Sequence, residues 1–476
     1  MADPGVMTPV YWKHLVRIGV AIFLPFCVCV AQASVSPYPA PTPDFPASPH
    51  YAVSIEQKGE AHPAFVHRSE AQWRTNISKD ISYTGFAFEG PVQVTVRNLI
   101  APFQKARVLP SSRNIIVTRK DSDAITFTLD KPGQFAIEFD ESIMHPLLVF
   151  ADAPETDVPS PGTPKLHHFG PGVHNLPAQG LILRPGENVY LAPGAFVKGR
   201  IYGQDTPGSR VYGRGILSGQ HLPGQPVGEY SVPHMVHFDK TSPNVLIEGI
   251  TLVASPHYNI VAIGADSTIR NVKMMGWWLG TDGISTGPNG LIVDCFIKAN
   301  DDSIKVYSPG MKVHRCIIWQ MENGAAFNLS WNLNNDSSGF HVSDIDIIRV
   351  EHRTEANNRG IFASIHGGSA NLSDYLFENI RIENANWRLF LITIHKTYWA
   401  KSETVGNISN LVFRNITTDR SFQKASELRS DEPGSRISNV LFENVIIAGE
   451  RVESAGKANL NYDPARVLDV RVLSTP

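Results

Sequence analysis

The chain is poor in the features that mark several protein classes. It has four cysteines in 476 residues, too few for a scaffold built on disulfides. Two of them, Cys27 and Cys29, fall inside an apolar N-terminal stretch. The other two, Cys295 and Cys316, lie far from any His-rich or Cys-rich cluster, which argues against a zinc site. Net charge is only −3, from 42 basic and 45 acidic residues, so there is no long-range pull toward nucleic acid or an anionic membrane. The longest apolar run, Ile18 to Val30, is well short of the ~20 residues that span a bilayer. Charge is low at 18% while hydrophobic residues make up 42%, which excludes wholesale disorder.

What is present begins with an export signal. Lys13, His14 and Arg17 precede the apolar run, and Ala31-Gln32-Ala33 supplies small residues at the cleavage positions. Residues 1–33 are therefore expected to be a signal peptide, with Ser34 first in the mature chain and a secreted or periplasmic location; a membrane anchor is the competing reading. The 37 glycines and 34 prolines point to many turns and few long helices.

Two rhythms follow. From Tyr51 to about Phe150, short alternating segments such as Val92–Val96, Asn114–Thr118, Ala124–Leu129 and Gln134–Phe139 are separated by Asp, Gly and Pro. Alternation with β-branched residues predicts antiparallel strands in a β-sandwich. Asp152 to Pro164 reads as a linker, so a sandwich domain is placed at 34–160 and a second domain at 161–476. In the second, clusters such as Val245–Ile250, Ile269–Val272, Leu291–Phe296 and Val313–Ile317 recur at nearly even steps, marked by their final apolar residues Ile250, Val272, Phe296 and Ile317. So regular a period means stacked units with a continuous core. Without a strict Leu pattern, and with short β-branched strands, it predicts a right-handed parallel β-helix. The fold class is thus all-β. Recurrent Asn residues are expected to bond backbone at the bends. Cys295 and Cys316 stand one such step apart and are expected in adjacent coils, as a disulfide or as two buried thiols.

Three acids carry the chemistry. Thr281-Asp282-Gly283 precedes Asn300-Asp301-Asp302-Ser303-Ile304-Lys305-Val306-Tyr307. Asp282 and Asp301 are separated by close to one coil, so stacking brings a third carboxylate beside the adjacent pair. For both members of the pair to reach one cleft the chain must bend there. Three acids at one point cannot all ionise cheaply. One protonated acid beside ionised neighbours is what inverting glycoside hydrolysis requires, with the carboxyl groups ~6.5–9.5 Å apart. Lys305 is placed to hold an acid ionised or to bond sugar hydroxyls. Trp277, Trp278, Tyr307, Trp319, Trp331 and Trp387 are aromatic candidates for a sugar platform. Of these, Tyr307, Trp331 and Trp278 are carried forward as substrate-binding residues together with Lys305 and Asn323, and Trp319 reads as structural. His366 and His395 read as structural histidines.

The stretch from Trp277 to Trp331 resembles glycoside hydrolase family 49, the dextranases and isopullulanase. The matching elements are Thr281-Asp282-Gly283, Asn300-Asp301-Asp302-x-Ile304-Lys305-x-Tyr307, Ile317-Ile318-Trp319, Glu322-Asn323 and Trp331. The resemblance implies a β-sandwich joined to a β-helix, a neutral glucan substrate with α-1,6 or α-1,4 linkages, and no cofactor. It also implies Asp301 as the general acid, with Asp282 and Asp302 holding the attacking water. The related polygalacturonase family 28 shares the three-aspartate scheme. Its Gly-His-Gly is replaced here by Asn323-Gly324-Ala325, and its Arg-x-Lys is missing, which counts against pectin. A polysaccharide lyase on a uronic-acid polymer, for which an acid cluster can bind calcium, and a non-catalytic carbohydrate-binding β-helix are the other readings.

Overall fold

The computed structural model describes residues 34–224 and 233–474; the expected signal at 1–33 lies outside them. Almost everything described is strand, turn or bend, with a single short 3-10 turn at Ser111–Arg113. Residues up to Asp152 form two facing sheets. One holds Glu60–Ala64, Tyr51–Gln57, Val92–Asn98, Ala124–Leu129 and Thr118–Arg119, all antiparallel. The other is centred on Asp80–Phe88 and Leu147–Asp152, which pair in parallel, unlike the antiparallel pairing expected throughout. Alternating burial along Tyr51–Gln57 and Val92–Asn98 puts Val53, Ile55, Val94 and Val96 in a shared core with Phe86, Ile137 and Val149. The strand expected at Asn114–Thr118 is reduced to Thr118–Arg119, because Asn114 turns into the left-handed region (φ 51°). Ile115 and Val117 still pack on the sandwich core.

From Leu166 onward the strands stack in parallel into a sheet of 21 strands and a second of 11, the walls of a right-handed parallel β-helix. The register explains the repeat: Ile247 pairs Ile269, which pairs Ile292, which pairs Val313. Like residues therefore fall on like, and the core becomes a set of ladders. Phe377, Phe413 and Phe442 stack at 5.3 and 5.4 Å with planes 8° and 11° apart. Each bend between two strands of a coil is one residue with positive φ: Gly249, Asn271, Asp294, Arg315, Asp344, Asn379, Asn415 and Asn444. Asn, Asp and Gly tolerate that conformation best, which is why Asn recurs. At this bend in the later coils its side chain bonds the neighbouring coil's Asn, while Asn371 and Asn407 accept from backbone N–H groups as expected. Asn415 Nδ2 donates to Asn379 Oδ1 at 2.9 Å, and Asn444 Nδ2 to Asn415 Oδ1 at 2.7 Å. Cys295 and Cys316 are buried free thiols in adjacent coils.

The sandwich packs along the flank of the β-helix. Phe150 meets Phe296 at 5.5 Å, and Trp277, Trp319 and Met275 join the same buried cluster. A polar knot crosses this apolar interface. Buried Asp152 accepts from Lys273 Nζ (2.6 Å), Asn271 Nδ2 (2.8 Å) and Tyr38 Oη (3.0 Å). Burial alone would push the Asp152 carboxyl up; Lys273 and Arg214 hold it below the usual range. Leaving such a charge unpartnered costs about 3–5 kcal/mol. Lys273→Met is therefore expected to lose about that much stability, read from the denaturation midpoint, while Lys273→Met with Asp152→Leu recovers most of it.

Candidate active site

The acids stand where one coil enters the strands of the 11-stranded sheet. Ile284 pairs Ile304, so Asp282 stacks over Asp302. Asp301 is held at a bend between Phe296–Ala299 and Ile304–Lys305, as two neighbouring carboxylates in one cleft demand. Gly283 in the Thr-Asp-Gly is required by the stack, because a Cβ there would overlap the Ser303 carbonyl oxygen. Gly324 has the same role behind Asp301, at φ 74°, where a Cβ would overlap the Asp301 backbone. One oxygen from each of Asp282, Asp301 and Asp302 lies within 4.8 Å of the others.

The three environments differ. Asp302 is buried and takes three donors, leaving one lone-pair site on Oδ1: Lys305 Nζ (2.8 Å) and Asn328 Nδ2 (2.7 Å) donate to Oδ2, and Ala325 N (3.0 Å) to Oδ1. Asp282 is also buried, and its Oδ1 lies 2.6 Å from Lys305 Nζ. That contact is an ion pair without hydrogen-bond alignment, which leaves Oδ1 short of a donor. Burial pushes Asp282 up to about 7, against the pull of Lys305 and with the help of Asp302. Asp301, the most exposed of the three, accepts from Asp302 N and Asn323 Nδ2, both at 2.9 Å. Burial first, then the charges of Asp282 and Asp302, push its carboxyl well above the usual range.

Lys305 lies between Asp282 and Asp302, so it holds two acids rather than one. Asn323, expected to bind substrate, instead has both amide hydrogens engaged, one on Asp301 and one on Leu279 O (3.1 Å). It positions the acid. Its backbone N donates to Asn300 Oδ1 (3.2 Å), Asn300 Nδ2 donates to Trp277 O (2.9 Å), and Asn76 of the sandwich donates to the same carbonyl (3.3 Å). Thr75 Oγ1 donates to Glu322 Oε2 at 2.7 Å, so the sandwich braces this loop twice.

The aromatic candidates divide. Trp277 and Trp319 are fully buried against the sandwich, their indole N–H groups donated to Ser69 Oγ (3.0 Å) and Glu351 Oε1 (2.6 Å); neither reaches a cleft. Trp387 is buried under Lys424. Tyr307 is partly exposed beside Lys305, its hydroxyl buried without a protein partner. Trp331 ends its strand partly exposed, paired with Ile365. Trp278 is partly exposed against Trp73 and Gly224. His366 is a satisfied structural histidine, bonded to Ser330 and Ala370 O. Two residues at the centre escaped the sequence reading. Asn328 was visible only as one polar residue in an apolar strand. Tyr258, 5.1 Å from the Lys305 ammonium, stands one coil before Asp282.

The chain thus joins a β-sandwich to a parallel β-helix and gathers three aspartates and a lysine at one point. No protein-family model matches it. It is 23% identical over 390 residues to the dextranase of Arthrobacter globiformis, spanning 64% of this chain and 60% of that one. It is 22% identical over 421 residues to the isopullulanase of Aspergillus niger, covering 75% and 74% of the two chains. A dextranase of Talaromyces minioluteus is 30% identical over 253 residues, 46% of this chain and 41% of that one. The chain thus spans about three fifths of the first of these relatives. Among solved structures, Dex49A from Penicillium minioluteum has the same fold, with a TM-score of 0.76 at 19% identity over 90% of this chain and 94% of that one. The resemblance to glycoside hydrolase family 49 read from the sequence holds.

The raised Asp301 pKa has a consequence for stability. Between the unfolded value near 4 and the raised folded value, the native chain binds a proton that the unfolded chain does not. Stability from this group therefore falls as pH rises through that window. Asp301→Asn is expected to raise the melting temperature by about 1–3 °C at pH 8, with the gain vanishing near pH 4. A thermal melt across pH checks both.

Proposed function

We propose that the chain is an exported inverting glycoside hydrolase that cleaves a neutral α-glucan, dextran-like at α-1,6 or pullulan-like at α-1,4 linkages. The observation that carries this is the division of labour among three clustered carboxylates. Asp301, raised and nearest the solvent, is the general acid that protonates the glycosidic oxygen. Asp282 keeps free lone pairs and, with Asp302, orients the attacking water. Asp302 carries three donors including an ammonium, which makes it a poor nucleophile; water is left to attack, and the anomeric centre inverts. Lys305 pairs with both Asp282 and Asp302 and pulls against the burial that raises Asp282. A lyase acting on uronate needs a free cation for the substrate carboxylate, and here the lysine is already engaged by two acids. Dextranases and an isopullulanase among the relatives support a neutral glucan. The catalytic residues all fall in the 161–476 part, with the 34–160 part as its brace. Tyr307, Trp331 and Trp278 remain the aromatic residues proposed to contact sugar. An external compartment follows from the leader; no helix among the described residues is long and apolar enough to cross a membrane.

A panel of dextran, pullulan and polygalacturonate, with wild type and Asp301→Asn side by side, tests the reading. Asp301→Asn is expected to lose ~10²–10⁴-fold on the polymer and to regain part of that rate on a substrate with an activated leaving group. Asp282→Asn and Asp302→Asn should show no such rescue; rescue in Asp282→Asn instead would exchange acid and base. The first-formed anomer seen by NMR is expected to be inverted, and retention would refute the assignment of water as nucleophile.

A further inference from the structure

The outward face of the 11-stranded sheet gives one residue per coil, read off the register. From the N-terminal coils onward the floor is Tyr202, His237, Val261, Ser285, Lys305, Asn328, Ala363 and Leu391. The two directions from Lys305 are unlike. Toward the C-terminus Asn328, Ala363 and Leu391 are all buried, the last two in a small apolar cluster with Ala325. Toward the N-terminus Ser285, His237 and Tyr202 are partly exposed, with buried Val261 between Ser285 and His237. Among the described residues, the surface beside the acids therefore stays partly exposed over the earlier coils and is buried over the later ones.

The open half has a built wall. Tyr258, beside the Lys305 ammonium, packs against His234 (ring centroids 4.7 Å) and His257 (4.6 Å). His234 packs against His237 at 5.0 Å, and His237 against Tyr202 at 5.2 Å. Rings thus run in an unbroken series from the acids toward the N-terminal coils. Three strand spacings separate Lys305 from His237 and four separate it from Tyr202, about 14 and 19 Å, which is room for a few sugar rings. His234 Nδ1 is buried with no protein partner, so a donor or acceptor is left facing the series. Burial pushes His234 down to about 3, helped by His257, His237 and Arg200, and burial lowers His237 too. Burial thus favours the neutral form of both imidazoles, which offers one donor and one acceptor each. Apolar ring faces beside a few placed polar atoms are what a groove for an uncharged ligand needs.

We propose that His234, His237, Tyr202 and Tyr258 form a set of sugar-binding subsites that hold the part of an uncharged glucan chain lying over the coils N-terminal to the catalytic acids. This rests on the glycoside hydrolase reading and adds the direction in which the substrate runs. Each ring contributes one stacking face or hydroxyl contact. Losing one should weaken binding about tenfold.

The test is the dependence of kcat/KM on chain length. Wild type, Tyr202→Ala, His237→Ala and the double variant are assayed on α-1,6-linked and α-1,4-linked glucose oligomers of two to eight units. His237→Gln, which keeps hydrogen bonding without the ring, is included against a folding defect, and melting temperatures are compared. The expected result is a double variant about 10–100-fold lower in kcat/KM on long oligomers, through KM with kcat nearly kept. The shortest cleaved oligomer should be unaffected, and His237→Gln should fall between. Equal kcat/KM for wild type and a folded double variant at every length overturns the subsites while leaving the hydrolase reading intact. A loss of the same size at every length, the shortest included, overturns them as well. Wild type that cleaves no neutral glucan overturns the function proposed above, and these subsites with it.

Discussion

In-register stacking of coils is the constraint on which the rest depends. Each strand lies one hydrogen-bonded spacing, about 4.8 Å, from the same strand in the next coil, so any residue type repeated at one position becomes a column. Aromatic columns fill the core, Asn columns line a bend, and polar columns face the cleft. The acids are a column too: Asp282 over Asp302, with Asp301 displaced by one residue at a bend. The separation of these carboxylates is a property of the stack rather than of the chemistry.

A column of like charges would push the coils apart. The chain answers with a buried ammonium between two of the acids and with amide donors on the third side. The outcome is a divided set, in which one carboxylate takes three donors, one is ion-paired with lone pairs to spare, and one is left partly in solvent with its proton retained by burial and the neighbouring charge. The same device recurs at the sandwich interface, where Asp152 and Lys273 are buried together. There the carboxylate is closed in by its donors, and the knot only joins two layers. The difference between a joint and a reactive site in this fold is whether the bonding is complete.

Much of this was legible in the chain. The switch from closely spaced alternating strands to a longer, coil-length repeat marks the change of architecture between Asp152 and Leu166, and the three aspartates are apparent from spacing alone. What spacing did not convey is the third dimension of each coil. Trp277 looks like a platform residue because it flanks the acids in sequence, whereas Trp319, read as structural, is buried. They point to the opposite side of the coil, into the sandwich, which no local pattern reveals. Asn323 reads as a sugar ligand by its place after Trp319, yet its amide is consumed by Asp301 and Leu279. Tyr258, His234 and His237 belong to earlier coils, and only the register brings them to the acids.

The short path from Asn76 through the Trp277 carbonyl, Asn300 and Asn323 to Asp301 has an evolutionary implication. The sandwich is not a detachable appendage that a lineage can exchange freely for another domain. Its loop at 72–76 and the turn at 322–323 meet through side-chain hydrogen bonds, so a replacement at either has to be matched at the other. The boundary between the two parts, so plain in the rhythm of the sequence, is crossed here as it is at the Asp152–Lys273 knot, and at both places the two have to change as a single unit.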